Sequence, residues 1–252
     1  MPGLRPASAP GSARSTGGAP VSLPYRTALI VGAGAGISAA LARLLAAEGL
    51  QVGLAARDAG KLAGLAAETG AATFSADAAD PQAVAELFGQ AEARLGEPDV
   101  VIYNASARAP GPLASLDPEA VRRAVEVTAY GAFLVAREAA RRMEPRGHGA
   151  LLFTGATAGV KGFPLSAAFA MGKFALRGLA QSAARELAPK GIHVAHFVVD
   201  GAVRSARRPD PADKPDSTLT PEGVARAYLD VLRQPRDAWS FEVELRPWVE
   251  RF

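Results

Sequence analysis

From residue 27 onward, short apolar runs alternate with stretches whose apolar residues recur at helical spacing, and this alternation restricts the possible folds more than any other feature. Residues 27–31 form a continuous apolar run ending in glycines, as suits a parallel strand buried on both faces. Residues 37–48 follow with helical periodicity and stop at Gly49. The same reading predicts further strands over 51–55, 71–75, 99–103, 150–154, 192–199 and 241–245. It predicts further helices over 58–68, 81–95, 118–143, 165–188 and 221–233. Pro81 suits the first position of its helix, and Pro189 with Gly191 ends another. Residues 204–219 have the composition of a loop. No internal repeat or boundary interrupts this order, so residues 25–252 are expected to form a single α/β unit: a doubly wound parallel sheet flanked by helices on both faces. Ligands of such sheets bind outside the carboxyl ends of the strands, where the direction of winding reverses.

Composition narrows the function classes. The chain has 252 residues, enough for a full α/β core, and a formal charge of +3, too small to mark a nucleic-acid binder. It contains no cysteine, which excludes disulfides, thiolate nucleophiles and thiolate-bound metal. His148, His193 and His196 have no metal-ligand spacing, and no apolar run approaches the roughly 18 residues of a membrane span. Residues 1–24 are rich in Pro, Gly, Ala and Ser and read as a disordered tail. The expected setting is the cytoplasm, with a small-molecule partner and neither nucleic acid nor membrane.

The first strand runs into Gly32-Ala33-Gly34-Ala35-Gly36-Ile37-Ser38, which opens the first helix. Glycines in a strand–turn–helix setting let the backbone turn tightly and approach a pyrophosphate, whose charge rests on the helix N-terminus. Ser38 can donate to a phosphate oxygen or cap the helix. Asp77-Ala78-Ala79-Asp80 follows the third strand, Tyr103-Asn104-Ala105-Ser106 ends the fourth, and Asp200-Gly201-Ala202-Val203-Arg204-Ser205 follows the strand over 192–199. Their order and spacing resemble the short-chain dehydrogenase/reductase family, which moves hydride between NAD(P) and a carbonyl or alcohol on a Rossmann-type fold. The resemblance implies that Gly32, Gly34, Gly36, Ile37 and Ser38 hold the cofactor phosphates, and that Asp77 and Ala78 hold the adenine. Asn104, Ala105, Gly201 and Val203 would lie along the remainder of the dinucleotide. Ala56 takes the slot that carries Asp in NAD-preferring relatives, and Arg57 follows it. That pair favours NADP over NAD, because an Arg there accommodates a 2′-phosphate.

The chain departs from the family where its chemistry resides. Phe169-Ala170-Met171-Gly172-Lys173 stands where Tyr-x-x-x-Lys is expected. Counting back thirteen residues from Phe169 reaches Ala156 in place of Ser, and the helix-borne Asn corresponds to Thr128. Lys173 remains, and the resemblance implies that it binds the nicotinamide ribose. Ser166, Tyr103, Asp200, Thr157 and His196 are the candidates to replace the missing hydroxyl. Arg204, Arg207 and Arg208 enter a loop that in relatives forms a substrate lid; they suit either an anionic substrate or a solvated surface. The expected activity is that of an NADP(H)-dependent oxidoreductase with a non-consensus active site. The alternative is a catalytically silent NADP-binding sensor or supporting subunit of a mixed oligomer. A homodimer or homotetramer is expected, with Trp239, Phe241, Trp248 and Phe252 near a shared surface or docked on the sheet edge.

Overall fold

The computed structural model describes residues 23–206 and 208–250. The stretch read as a tail is therefore almost wholly outside the described residues, as are Arg207 and Phe252. The strands are β1 (Thr27–Val31), β2 (Gln51–Ala56), β3 (Ala72–Ser75), β4 (Val100–Tyr103), β5 (Gly149–Thr154), β6 (Ile192–Val199) and β7 (Glu242–Leu245). They form one seven-stranded sheet in the order β3-β2-β1-β4-β5-β6-β7, with every pairing parallel. The helices are α1 (Ile37–Ala47), α2 (Ala63–Thr69), α3 (Pro81–Leu95), α4 (Pro118–Val125), α5 (Gly131–Met143), α6 (Ala167–Leu187) and α7 (Pro221–Leu232).

Side-chain alternation along the strands builds two apolar layers. Ala28 and Ile30 of β1 pack with Leu41 and Leu45 of α1 and Val224 and Tyr228 of α7. Leu29 and Val31 pack with Leu87 and Phe88 of α3, Val135 of α5 and Leu176 of α6. Each such side chain, fully buried, is worth about 1.5–3 kcal/mol. Three helices begin with the same device: Asp80, Asp117 and Thr220 accept hydrogen bonds from the first-turn amides, and a proline follows each.

Two stretches differ from the periodic reading. The apolar pattern over 118–143 predicts one helix, but α4 and α5 are separated by a π-helical turn, Glu126–Tyr130. Tyr103 Oη donates to the Val127 carbonyl, giving that carbonyl a partner outside the helix, and Thr128 Oγ1 accepts from the Ala107 amide at 3.1 Å. Such turns often mark functional sites. The pattern at Leu165 is also not helical: its φ of 61° is left-handed, and α6 begins at Ala167. Residues 59–62 form a 3₁₀ turn ahead of α2.

The π turn depends on close approach. A Cβ on Gly131 would lie 2.5 Å from Tyr103 Oη and 2.6 Å from the Ala78 carbonyl oxygen. Gly131→Ala is therefore expected to cost about 1–3 kcal/mol in urea unfolding, as overpacking of a rigid core does. Tyr103→Phe strands the Val127 carbonyl yet removes one of the two clashes. The double variant should lose less stability than the sum of the singles; strict additivity would show that the two sites do not press on one another.

Candidate active site

The chain leaves β1 toward α1 and returns through β4, and a crevice opens where these strands end, with Val31 paired to Tyr103. Gly32 takes a φ of 86°, and its amide and that of Ala33 both donate to the Ala55 carbonyl at 2.9 Å. A Cβ on Gly32 would meet the Ala105 backbone nitrogen at 2.3 Å, so β1 and β4 are joined here at a spacing only glycine allows. Gly34 and Gly36 differ: a Cβ on either would enter open space. Their backbone faces the crevice uncovered.

A cleft of about 540 Å³ is lined by Gly32, Gly34, Arg57, Asp77, Ala78, Asn104 and Ala105 among others. An adjoining pocket of about 260 Å³ shares Gly32, Gly34 and Asn104 and adds Gly36, Ile37, Ser38 and Val203. Two residues expected in this group are not among those lining the two pockets. Gly201 packs against Pro247, which a Cβ would meet at 2.7 Å, and Lys173 is buried on the inner side of α6. Ser38 is committed to the turn, donating to the Gly32 carbonyl at 3.2 Å and accepting from Asn104 Nδ2 at 2.7 Å.

At the far end of the cleft Asp77 accepts from the Ala79 amide at 3.0 Å and pairs with Arg123. Partial burial pushes the Asp77 carboxyl upward, but the Ala79 amide, Arg123 and the charge of Arg57 outweigh it and hold the carboxyl below the usual range. Arg57 is exposed, and Lys61 beside it pairs with Asp58 at 3.2 Å. Arg123 and Lys61 line this cleft although no sequence pattern singled them out. Their signal is long-range: Arg123 on α4 reaches Asp77, which follows β3.

Around position 169 the side chains converge without a carboxylate. Phe169 is 6% exposed on the first turn of α6, and Lys173 one turn later is 3% exposed. Lys173 Nζ donates to the Thr154 carbonyl at 2.6 Å and lies 5.7 Å from the Phe169 ring centroid. Burial, with a further contribution from the charge of Arg108, pushes the Lys173 ammonium down to about 7. The Arg108 guanidinium lies over the Phe169 ring, its Cζ 3.9 Å from the centroid. Sequence reasoning missed Arg108, since a turn residue four positions after Asn104 carries no spacing signal toward α6. Its placement follows from Thr128, which holds Ala107, and from Gly172, where a Cβ would meet Thr128 Cβ at 2.8 Å.

The hydroxyls and acids considered as replacements for a tyrosine are mostly engaged. Thr157 Oγ1 donates to Asp200 Oδ1 at 2.6 Å, and Asp200 also faces Arg246 at 3.3 Å. Thr154 Oγ1 shares a 2.7 Å hydrogen bond with Tyr228 Oη, on the α7 side of the sheet. Tyr103 is fully buried, its hydroxyl held on Val127; desolvation, with the Asp77 charge, drives its pKa upward. His196 Nδ1 lies 3.0 Å from Glu242 Oε2, which Arg177 grips with two hydrogen bonds of 2.8 and 2.7 Å. Burial lowers the His196 pKa despite that carboxylate. Ser166 sits at the N-terminus of α6 with no side-chain capping bond. Ala156 is half-buried in extended backbone.

Comparison with known proteins places this geometry. The family model described as short chain dehydrogenase matches residues 26–211. The cis-4-hydroxycyclohexanecarboxylate dehydrogenase of Sinomonas cyclohexanicum is 36% identical over 174 residues, covering 67% of this chain and 70% of the relative. The crystal structure of a short-chain dehydrogenase from Rhodopseudomonas palustris superposes with a TM-score of 0.76 at 38% identity, covering 88% and 99% of the two chains. A metagenomic short-chain oxidoreductase solved in complex with NADP gives 0.78 at 28% identity, covering 90% and 100%. The chain belongs to the short-chain dehydrogenase/reductase family and is an oxidoreductase of that type.

Proposed function

We propose that the chain is an NADP(H)-dependent oxidoreductase whose active site departs from the family's Ser–Tyr arrangement. The observation that carries this is the pairing of a cleft open to the glycine turn with a β2 end that bears Ala56 and Arg57 instead of a carboxylate. The residues fit a dinucleotide: the bare backbone at Gly34 and Gly36 faces the pocket at the start of α1, whose first turn carries no acidic side chain. Amides there suit a pyrophosphate. Asp77 and the Ala78 backbone flank the adenine end, and Arg57, with Lys61 nearby, provides the charge that a 2′-phosphate needs. Asn104, Ala105, Gly201 and Val203 follow the dinucleotide toward the nicotinamide. The relative from Sinomonas cyclohexanicum and the NADP complex support this reading, the first by an alcohol substrate and the second by its cofactor.

The bound cofactor would supply or accept the hydride. This chain's own residues would then hold the ribose and the substrate. Lys173, anchored on the Thr154 carbonyl, would bind the ribose hydroxyls, as the family resemblance implies. Phe169 has no proton to give, and Tyr103 and Thr157 are tied to Val127 and Asp200. The proton balancing hydride transfer would therefore come from water or from a remaining hydroxyl such as Ser166, which makes no capping bond; water alone forgoes the roughly 10²–10⁴-fold assistance of a positioned general acid. The same engaged hydroxyls favour a second reading, a silent NADP-binding subunit. Tyr130 and Phe133 beside α5, with Met171 and Phe174 on α6, are large apolar side chains at least 45% exposed. They support a homodimer or homotetramer that covers them.

Three outcomes test these assignments. Isothermal titration should show NADPH binding more tightly than NADH, and Arg57→Asp should reverse that order; a wild type preferring NADH refutes the NADP assignment. Phe169→Tyr with Ala156→Ser should raise NADPH-dependent ketone reduction by at least about tenfold, read as kcat/KM. A wild type that already reduces ketones faster than this double variant contradicts the account of Phe169. Lys173 is a base whose folded pKa lies near 7, below the roughly 10.4 of an unfolded lysine. The unfolded chain thus binds more protons between those values, and stability should rise as pH climbs through that window. Urea unfolding of the cofactor-free protein at pH 7, 8.5 and 10 should show this rise, and Lys173→Met should flatten it.

A further inference from the structure

We propose that Arg108 is the substrate-binding residue for an anionic group, a carboxylate or phosphate, held over the Phe169 ring; this rests on the reading of the crevice as a dinucleotide site. A guanidinium stacked at 3.9 Å on a ring uses its face and leaves the N–H donors around its edge free to bond in its own plane. Among the described residues Arg108 has neither a hydrogen bond nor an ion pair for those donors, and it is exposed. It is held there from behind. The Ala107 amide is bonded to the fully buried Thr128, and the ring beneath it is fixed on α6.

The charge around Arg108 points the same way. Arg208, from the loop after β6, is close enough to disfavour the charged form of Arg108, as desolvation against the ring does more strongly. Arg108 in turn disfavours the charge on Lys173. Arg108 of the β4–α4 loop thus feels two further basic groups, Lys173 of α6 and Arg208 of the loop after β6. None has a carboxylate within ion-pair distance among the described residues. The nearby carboxylates are occupied: Asp200 by Thr157 and Arg246, Glu242 by Arg177 and His196, Asp210 by Arg204 and Thr218. A bound oxyanion relieves this repulsion and satisfies the guanidinium edge, a geometry that arginine matches bidentately. Lysine's single point charge does not reproduce it.

Isothermal titration of the full chain, with and without saturating NADP, tests the assignment with benzoate, phenyl phosphate and neutral benzamide as probes. Benzoate or phenyl phosphate should bind wild type at least about tenfold more tightly than benzamide, the margin of a charge-assisted pair. Whichever of the two binds more tightly identifies the anion. Arg108→Gln should remove that margin, Arg108→Lys should restore only part of it, and NADPH affinity should stay unchanged in both. Arg208→Ala should weaken the anion by less than Arg108→Gln does. Equal binding of benzamide and both anions, or an Arg108→Gln protein that binds them as wild type does, overturns the proposal. Loss of NADPH binding in wild type would instead strike the dinucleotide reading, because the anion titration without cofactor reports on Arg108 alone.

Discussion

Strand β1 is hydrogen-bonded along both edges, to β2 from Thr27 to Val31 and to β4 from Ala28 to Val31. Parallel strands need crossover connections, and the two that flank β1 lie on opposite faces of the sheet. α1 covers one face together with α7, while α3 covers the other. The chain therefore parts at the carboxyl ends of β1 and β4, and the crevice there is a consequence of winding direction rather than of any one side chain. Gly32 sets how narrowly it closes. Its missing Cβ lets Ala105 pack against the turn, while Gly34 and Gly36 keep bare backbone facing outward. Local glycine chemistry and global topology thus meet at one point, and every polar group of the site is measured from it.

The other end of the site depends on contact between α6 and the π turn. Gly172 brings the α6 backbone against Thr128, and Thr128 spends its hydroxyl on Ala107. Tyr103 fills the space below and donates to Val127. These residues form a chain of paired polar groups, the Ala107 amide donating to Thr128 Oγ1 and the Tyr103 hydroxyl to the Val127 carbonyl, as buried groups must be paired. Such a network positions a loop firmly. It also removes from chemistry the hydroxyls that composition alone offers as substitutes for a tyrosine.

The parallel sheet and the succession of strands and helices along the chain were legible because buried parallel strands read as continuous apolar runs, and the intervening helices carry caps such as Asp80-Pro81 and Asp117-Pro118. The glycine turn was legible for a related reason: positive φ and close approach leave few residue types to choose from. What escaped was set by distance in the chain. The break after Val125 follows from a hydroxyl on β4, and no helical periodicity records it. Lys173 was identified by spacing, yet its depth and its bond to the Thr154 carbonyl come from the packing of α6 on β6, beside the end of β5. Arg123 and Arg108 carried no local pattern; one reaches Asp77 and the other Phe169 across separate elements.

A phenol at position 169 and a phenyl ring there make opposite electrostatic demands on the same surroundings. A phenol beside a lysine uses the positive charge to ease its own ionisation, so the cation is partly neutralised by the group it serves. A phenyl ring attracts cations through its face but carries no net charge to cancel theirs. Lys173 and Arg108 both lie within reach of that ring, at 5.7 and 3.9 Å from its centroid. The ring holds them without neutralising them. Elsewhere in this half of the molecule arginines are met by carboxylates, as Arg177 is by Glu242 and Arg204 by Asp210. Among the described residues no carboxylate lies within ion-pair distance of Arg108 or Lys173. A phenyl ring at position 169 therefore stacks with the Arg108 guanidinium but leaves its charge to be met by another group.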